Sequence, residues 1–194
     1  MKKLIIATVL AALILFGASL GLNSIAARNA QTEHLQVMQT ILPGSESFTV
    51  EPYSGDDANI RSIHKAENGF VIETVTYGYA DNITMLVGVS NEGKVTGLVV
   101  REAHETVGLG NNALTDHEFL SQFLNGSGEF AVNTGSADAF TGATGTTETT
   151  GETTDVDAIT GATVTSKAIT RSVNSAVAYV TGADAASSAT TWGG

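Results

Sequence analysis

Two copies of one short pattern hold the residues in this chain best suited to chemistry. "DAFTGAT" occupies residues 138–144 and "DAITGAT" residues 157–163, and the second runs straight into "VTSKAITRSVNSAVAYV". In that second copy Gly161 permits backbone angles closed to other residues, and Ala162 leaves room for a ligand to approach the main chain. Thr163 then presents a hydroxyl at the entry to a helix. Free backbone N–H groups and the positive end of the helix dipole collect there and favour a phosphate. The same residues also make a plain helix cap, worth about 1 kcal/mol. Residue types alone leave cap and anion site both open. Thr144, in the first copy, precedes "GTTETTGETT", which forms no apolar-faced helix and presents no fixed dipole end.

Other chemistries find less support. His34, His64, His104 and His117 lack the paired or i,i+4 spacing of a zinc site. Asp56-Asp57 and Asp155/Asp157 do not fit a calcium loop. Nothing has the form of a nucleophile elbow, and Gly108-Leu109-Gly110 is too short for a dinucleotide fingerprint. No metal site is expected. The net charge of −11 argues against a nucleic-acid partner, because phosphate neutralisation needs Lys/Arg patches. The absence of cysteine removes disulfides, thiolate metal sites and cysteine nucleophiles together.

The elements that must position the pattern read as follows. "MKK" precedes an uncharged run from Leu4 to Ala27, long enough to cross the roughly 30 Å of hydrocarbon that takes about 20 helical residues. Lys2 and Lys3 place its start in the cytoplasm and everything after Arg28 on the far side. A cleaved signal peptide, with Ser24-Ile25-Ala26 before the cut, is the competing reading; both export the domain. Residues from Asn29 to about Thr40 have helical spacing, ended by Pro43-Gly44. Residues 70–80, 83–90 and 94–103 are β-branched, aromatic runs joined by short turns, hence a β-meander. "DHEFLSQFLNG" reads as a helix capped by Asp116, with Phe119, Leu120, Phe123 and Leu124 on one face and Gly126 closing it. After the second pattern, Ala168, Ile169, Val173, Ala176, Val177 and Val180 form a helical stripe ending near Gly182. Strands and helices around one sheet give an α+β domain. The organisation is an N-terminal membrane anchor (1–28), an exported α+β domain (29–140), a Thr/Gly-rich loop insertion (141–154), a motif and C-terminal helix of the same domain (155–182), and a disordered tail (183–194).

"DAITGAT" followed by its helix resembles the Asp-x-x-(Ser/Thr)-Gly-Ala-Thr motif of the FMN-binding domain shared by the RnfG and NqrC subunits of membrane redox complexes. "HETVGLG", His104 to Gly110, is similar to that family's His-x-Glu-Thr-Pro-Gly-Leu-Gly element, with Val107 in place of the usual Pro, and "GYADNITMLVGVSNEGKVTGLVV" resembles the strands before it. The Thr/Gly insertion, with the first copy's additional TGAT, is a further departure from the family's spacing. Chain length fits RnfG better than the longer NqrC.

The resemblance implies one FMN held covalently, as a phosphoester on Thr163 made by a flavin transferase. Asp157, Thr160, Gly161 and Ala162 would be the recognition motif, and Thr165, His104, Glu105, Thr106, Gly108, Leu109 and Gly110 would lie near the flavin. Thr144 is a possible second attachment. It further implies a single-pass protein of the cell membrane whose domain faces away from the cytoplasm. As an electron-transfer subunit of a ferredoxin:NAD oxidoreductase of the Rnf ion-translocating type, it would work beside the other membrane subunits and have no catalytic centre of its own. An NqrC-type subunit of a sodium-translocating NADH:quinone reductase, a free-standing extracellular flavin relay, and an anchored non-redox binding module are the alternatives.

Overall fold

The computed structural model describes residues 31–105, 110–134 and 153–183. The proposed anchor (1–28), Thr106, Val107, Gly108, Leu109, Thr144 with its flanks, and the tail from residue 184 onward lie outside the described residues. Among the described residues no helix is long and apolar enough to cross a membrane. The chain divides between Val37 and Met38 into two units. Of the first, residues 31–37 are described and are helical; the helix (α1) runs on to residue 41 within the second unit.

The second unit is an α+β domain. Its sheet is a five-stranded antiparallel meander of β1 (Thr49–Glu51), β2 (Ile60–Lys65), β3 (Gly69–Tyr77), β4 (Asn82–Ser90) and β5 (Val95–Ala103), in that spatial order. β3, β4 and β5 are the strands expected from the β-branched runs. β1 and β2 escaped a reading by apolar content because "TVE" and "IRSIHK" are polar enough to pass for loop.

The two faces of the sheet are covered differently. On one, Ile63, Ile72, Ile83, Met85, Val87 and Val89 pack against Ala168, Ile169, Val173, Ala176 and Val177 of α4 (Thr163–Thr181). Phe119, Phe123, Phe130 and Val156 complete this core, Phe119 and Phe123 meeting edge-on at 5.5 Å. On the other face, Gly88 and Gly97 stand opposite each other in register, and a Cβ on either would strike the backbone of Ile41. The end of α1 therefore lies directly on the sheet, tied by the Thr96 hydroxyl donating to Ile41 O at 2.6 Å.

Four small elements follow the meander. α2 (Gly110–Thr115) and α3 (His117–Ser121) are short, and Asp116 caps α3 by accepting from Phe119 N at 3.0 Å, as expected. The expected close at Gly126 is displaced. Asn125 takes the left-handed conformation (φ 63°), and the loop pairs with β5 through Asn125 N to Val95 O and Val95 N to Gly126 O. Phe119 and Phe123 are buried, while Leu124, placed on the same face by spacing, is exposed because helical geometry ends before it. β6 (Glu129–Asn133) and β7 (Thr153–Asp157) then form a parallel pair. Thr153 and Thr154, expected in the loop insertion, are thus the first two residues of β7. Partners on β6 satisfy their backbone groups, which composition could not reveal.

α4 is fixed to this frame by polar as well as apolar contacts. The buried Thr76 hydroxyl of β3 donates to Ala168 O at 3.0 Å and shares a hydrogen bond with Ser172 Oγ at 2.9 Å. Asn174 clasps β6, donating to Phe130 O and accepting from Phe130 N, both at 2.9 Å. At the far end Gly182 closes the helix in the left-handed conformation (φ 69°), as the sequence led us to expect. There Tyr179 packs edge-on against Phe70 and Tyr53 and donates to Glu51 Oε2 at 3.4 Å.

Two predictions follow from this attachment. Thr76→Val leaves Ser172 short of a partner in a dry interface, so urea denaturation should show a loss of about 1–3 kcal/mol, partly recovered when Ser172→Ala is added. Burial, and then the Glu51 carboxylate, raise the Tyr179 pKa above its ordinary value. The folded state therefore holds that proton more tightly than the unfolded chain. Its contribution is intact below the ordinary tyrosine range, near ~10, and is lost as pH rises through the folded pKa. Thermal melts in alkaline buffer should show Tyr179→Phe losing less stability with rising pH than the unaltered chain.

Candidate functional site

The second TGAT corner is built where β7 hands over to α4. Asp157 ends β7, opposite Asn133 in the parallel ladder, and its carboxylate accepts from Asn133 Nδ2 at 2.9 Å. Its backbone is bracketed by Gln122, whose side chain accepts from Asp157 N at 2.8 Å and donates to Asp157 O at 3.3 Å. The chain then turns through Ile159–Ala162, closed by Ala162 N donating to Ile159 O at 2.9 Å. Gly161, third in that turn, has φ 81°, the left-handed value that a type II turn demands there and glycine adopts without strain. Ser166 reaches back from the helix to accept from Ile159 N at 3.2 Å, locking the corner from inside.

Thr163 is the first residue of α4, and the N-cap is Ala162 (φ −125°, ψ 28°), which makes no side-chain capping bond. The alternative in which the threonine is merely a cap therefore fails on geometry: Thr163 stands one residue too late for the role. Ser166 N, donating to Ala162 O at 2.8 Å, closes the first intrahelical bond. The N–H groups of Thr163, Val164 and Thr165 precede it, where a helix supplies no partner of its own. Thr163 is partly exposed, Val164 is 49% exposed, and Thr165 is buried.

These residues, with Tyr79 and Gly110, line a cleft of about 210 Å³. What brings Tyr79 and Gly110 to the helix entry is Glu105. One of its carboxylate oxygens accepts from Tyr79 N at 2.9 Å and Ala80 N at 3.3 Å; the other accepts from the Thr165 hydroxyl at 3.0 Å. Two glycines make room for it. A Cβ on Gly78 would strike Glu105 Oε1, and one on Gly110 would strike Oε2 and approach Thr165 Oγ1 to 2.7 Å. β3 was expected to reach residue 80. It ends at Tyr77 because Gly78 N bonds Asp81 O to close a turn, and because Glu105 takes the next two amides.

Of the residues named from sequence, the corner thus unites Gly161, Ala162, Thr163, Thr165, Glu105 and Gly110. Thr160 is exposed on the turn, and Asp157 acts through the corner's backbone. His104 does not line the cleft. Its side chain is 70% exposed, with Nδ1 4.0 Å from Asp81 Oδ2. Thr106, Gly108, Leu109 and Thr144 lie outside the described residues. Tyr79 and Val164 were missed as site residues. The available signal for Tyr79 was a large aromatic directly after a glycine at the end of a strand, where alternation no longer gives it a face to pack on.

The N–H groups at the helix entry have no partner among the described residues, a setting that favours a phosphate or phosphate ester. The described lining residues include no Lys or Arg, and Glu105 adds a negative charge nearby.

Glu105→Ala is expected to cost about 1–3 kcal/mol, since three donors lose their acceptor, while Glu105→Gln keeps an amide oxygen for the backbone and most of the stability. Hydrogen exchange at Tyr79 and Ala80 reads this directly: it should quicken in the alanine variant and stay slow in the glutamine variant.

Residues 78–178 match the family model described as FMN-binding domain. Over 80 residues the chain is 44% identical to the G subunit of an ion-translocating oxidoreductase complex from Erwinia tasmaniensis; the match covers 37% of this chain and spans 38% of that relative's length. Among solved structures, the crystal structure of Shewanella oneidensis NqrC aligns at 22% identity with a TM-score of 0.45, covering 71% of this chain and 65% of that one.

Proposed function

The chain belongs to the FMN-binding domain family, and we propose that it carries its FMN as a phosphoester on Thr163 and relays electrons within a membrane-bound, ion-translocating oxidoreductase complex of the Rnf type. The observation that carries the covalent reading is the position of Thr163. Thr163 is partly exposed as the first residue of a helix whose N-cap, Ala162, makes no side-chain capping bond, beside N–H groups with no partner among the described residues.

The residues present fit FMN in two respects. Gly161 and Ala162 leave the main chain open to a phosphate, and the helix dipole offsets its charge. The cleft, at about 210 Å³, is smaller than the roughly 300–1,000 Å³ of pockets that enclose a ligand. With no Lys or Arg among its described lining residues and Glu105 close by, free FMN would be held weakly, and a covalent tether supplies the retention that enclosure does not. On esterification the Thr163 hydroxyl oxygen would bond to the flavin-side phosphorus of a flavin dinucleotide donor held by the flavin transferase. The P–O bond of that diphosphate would break, the nucleoside monophosphate would leave, and the hydroxyl proton would pass to solvent. Asp157, Thr160, Gly161 and Ala162 form the segment that enzyme reads, and Thr144, in the first copy, is left unmodified because the Thr/Gly sequence after it has no apolar stripe at helical spacing.

Bound FMN supplies the acceptance and release of electrons; the protein supplies attachment, orientation and tuning. Glu105 and Thr165 hold the helix entry against the β3–β4 turn, so the attachment point does not wander. The uncharged run behind Lys2 and Lys3 is the anchor that places the domain on the extracytoplasmic face and keeps the flavin near its membrane partners. Similarity to the Erwinia tasmaniensis protein favours the Rnf-type setting over an Nqr-type or free-standing one. In that setting the flavin is a mid-chain step between ferredoxin and NAD.

Intact mass spectrometry on protein exported by a host with an active flavin transferase tests the attachment. One FMN increment is expected in the unaltered chain and in Thr144→Ala, and none in Thr163→Ala. An increment that survives Thr163→Ala would place the flavin elsewhere.

A further inference from the structure

Tyr79 has no role in the attachment of the flavin phosphate. Its ring is 66% exposed, yet it is one wall of the cleft at the α4 entry. Resting on the reading that Thr163 bears FMN, we infer that Tyr79 is the flavin-contact residue of this domain, its phenol ring packing against the flavin tethered from α4.

Three observations support this. The first is how its position is fixed. Tyr79 N donates to Glu105 Oε1 at 2.9 Å while the other oxygen of the same carboxylate holds Thr165, two residues beyond the attachment point. A single side chain thus ties the tyrosine's backbone to the helix entry, although the two are far apart in sequence. The second is the composition of the cleft. Its other described lining residues are Gly110 and the stretch from Gly161 to Thr165, all small or aliphatic, so among the described residues Tyr79 brings the aromatic surface of the site. The third is the contrast with Tyr77. That ring is 63% exposed as well, but it ends β3, lies outside the cleft, and its hydroxyl donates to Ala80 O at 3.4 Å, a local contact within the turn.

A flavin ring system is broad, flat and electron-poor, and an offset aromatic contact is its natural neighbour. Exposed Val164 adds apolar surface on the helix side of the same cleft. Tyr79 would thereby shield one part of a flavin that the small cleft does not enclose. A phenol in contact with a flavin also quenches its fluorescence by donating an electron to the excited state, which gives the contact a signature separate from attachment.

The test compares flavinylated full-length chains: unaltered, Tyr79→Phe and Tyr79→Ala. Intact mass is read first, then flavin fluorescence and its quenching by iodide. The Tyr79 backbone N–H, which Glu105 binds, survives both substitutions, and replacing an exposed side chain changes stability by about 0.5 kcal/mol or less. The same mass increment is expected in all three. Fluorescence per flavin should rise by roughly twofold or more in both variants as the donor is lost, while iodide access increases only in Tyr79→Ala, because phenylalanine keeps the ring contact. Unchanged fluorescence and iodide quenching in Tyr79→Ala would overturn the inference, as would equal iodide access in the two variants. Loss of the increment in Tyr79→Ala alone would assign the residue to transferase recognition instead. No flavin on the unaltered chain would defeat the attachment at Thr163 and this inference with it.

Discussion

One carboxylate sets the geometry of the site. Glu105 bridges two amides of the β3–β4 turn and a hydroxyl in the first turn of α4, segments about 80 residues apart in sequence. It lies just beyond β5, so the meander itself delivers it. Gly78 and Gly110 have no side chains because that space is already taken by the carboxylate. Without the bridge, α4 would still pack on the sheet through Ile169, Val173 and Thr76. The helix entry would no longer be held to a fixed wall.

The rest of the domain presents that entry in a usable state. Parallel pairing of β6 with β7, the Gln122 bracket and the Ser166 back-contact deliver the chain to the turn at Gly161 with its direction set. Because Ala162 cannot cap, the helix begins with N–H groups that local structure leaves unpaired. An ordinary domain would place Ser, Thr, Asp or Asn at that position. Forgoing a contribution of about 1 kcal/mol is understandable where the donors serve a ligand. On the proposed reading that ligand is the flavin phosphate.

Much of this was legible in the sequence, though unevenly. Strands β3, β4 and β5, the Asp116 cap and the apolar stripe and glycine stop of α4 followed from periodicity and turn chemistry. The TGAT corner announced itself by its small residues, but residue types could not separate a cap from an anion site. That distinction depended on whether Thr163 fell at the N-cap or one position later, a shift set by the turn at Gly161. Strands β6 and β7 were illegible for another reason. "TTDVD" has little apolar content, and its pairing partner lies beyond a long Thr/Gly stretch. The function of Glu105 was hidden too, since hydrogen bonds between distant segments leave no local pattern. Resemblance named the residue, and only coordinates showed what it holds.

The measurement that tests the central claim most directly is localisation of the flavin by peptide fragmentation on the unaltered, exported chain. A glutamate-specific protease cuts after Glu152, between the two TGAT copies, and so separates Thr144 from Thr163. The account predicts one FMN, on the peptide that begins at Thr153, with fragment ions assigning it to Thr163. Flavin on the Thr144 peptide, or none on either when the same host modifies a control protein, would contradict it.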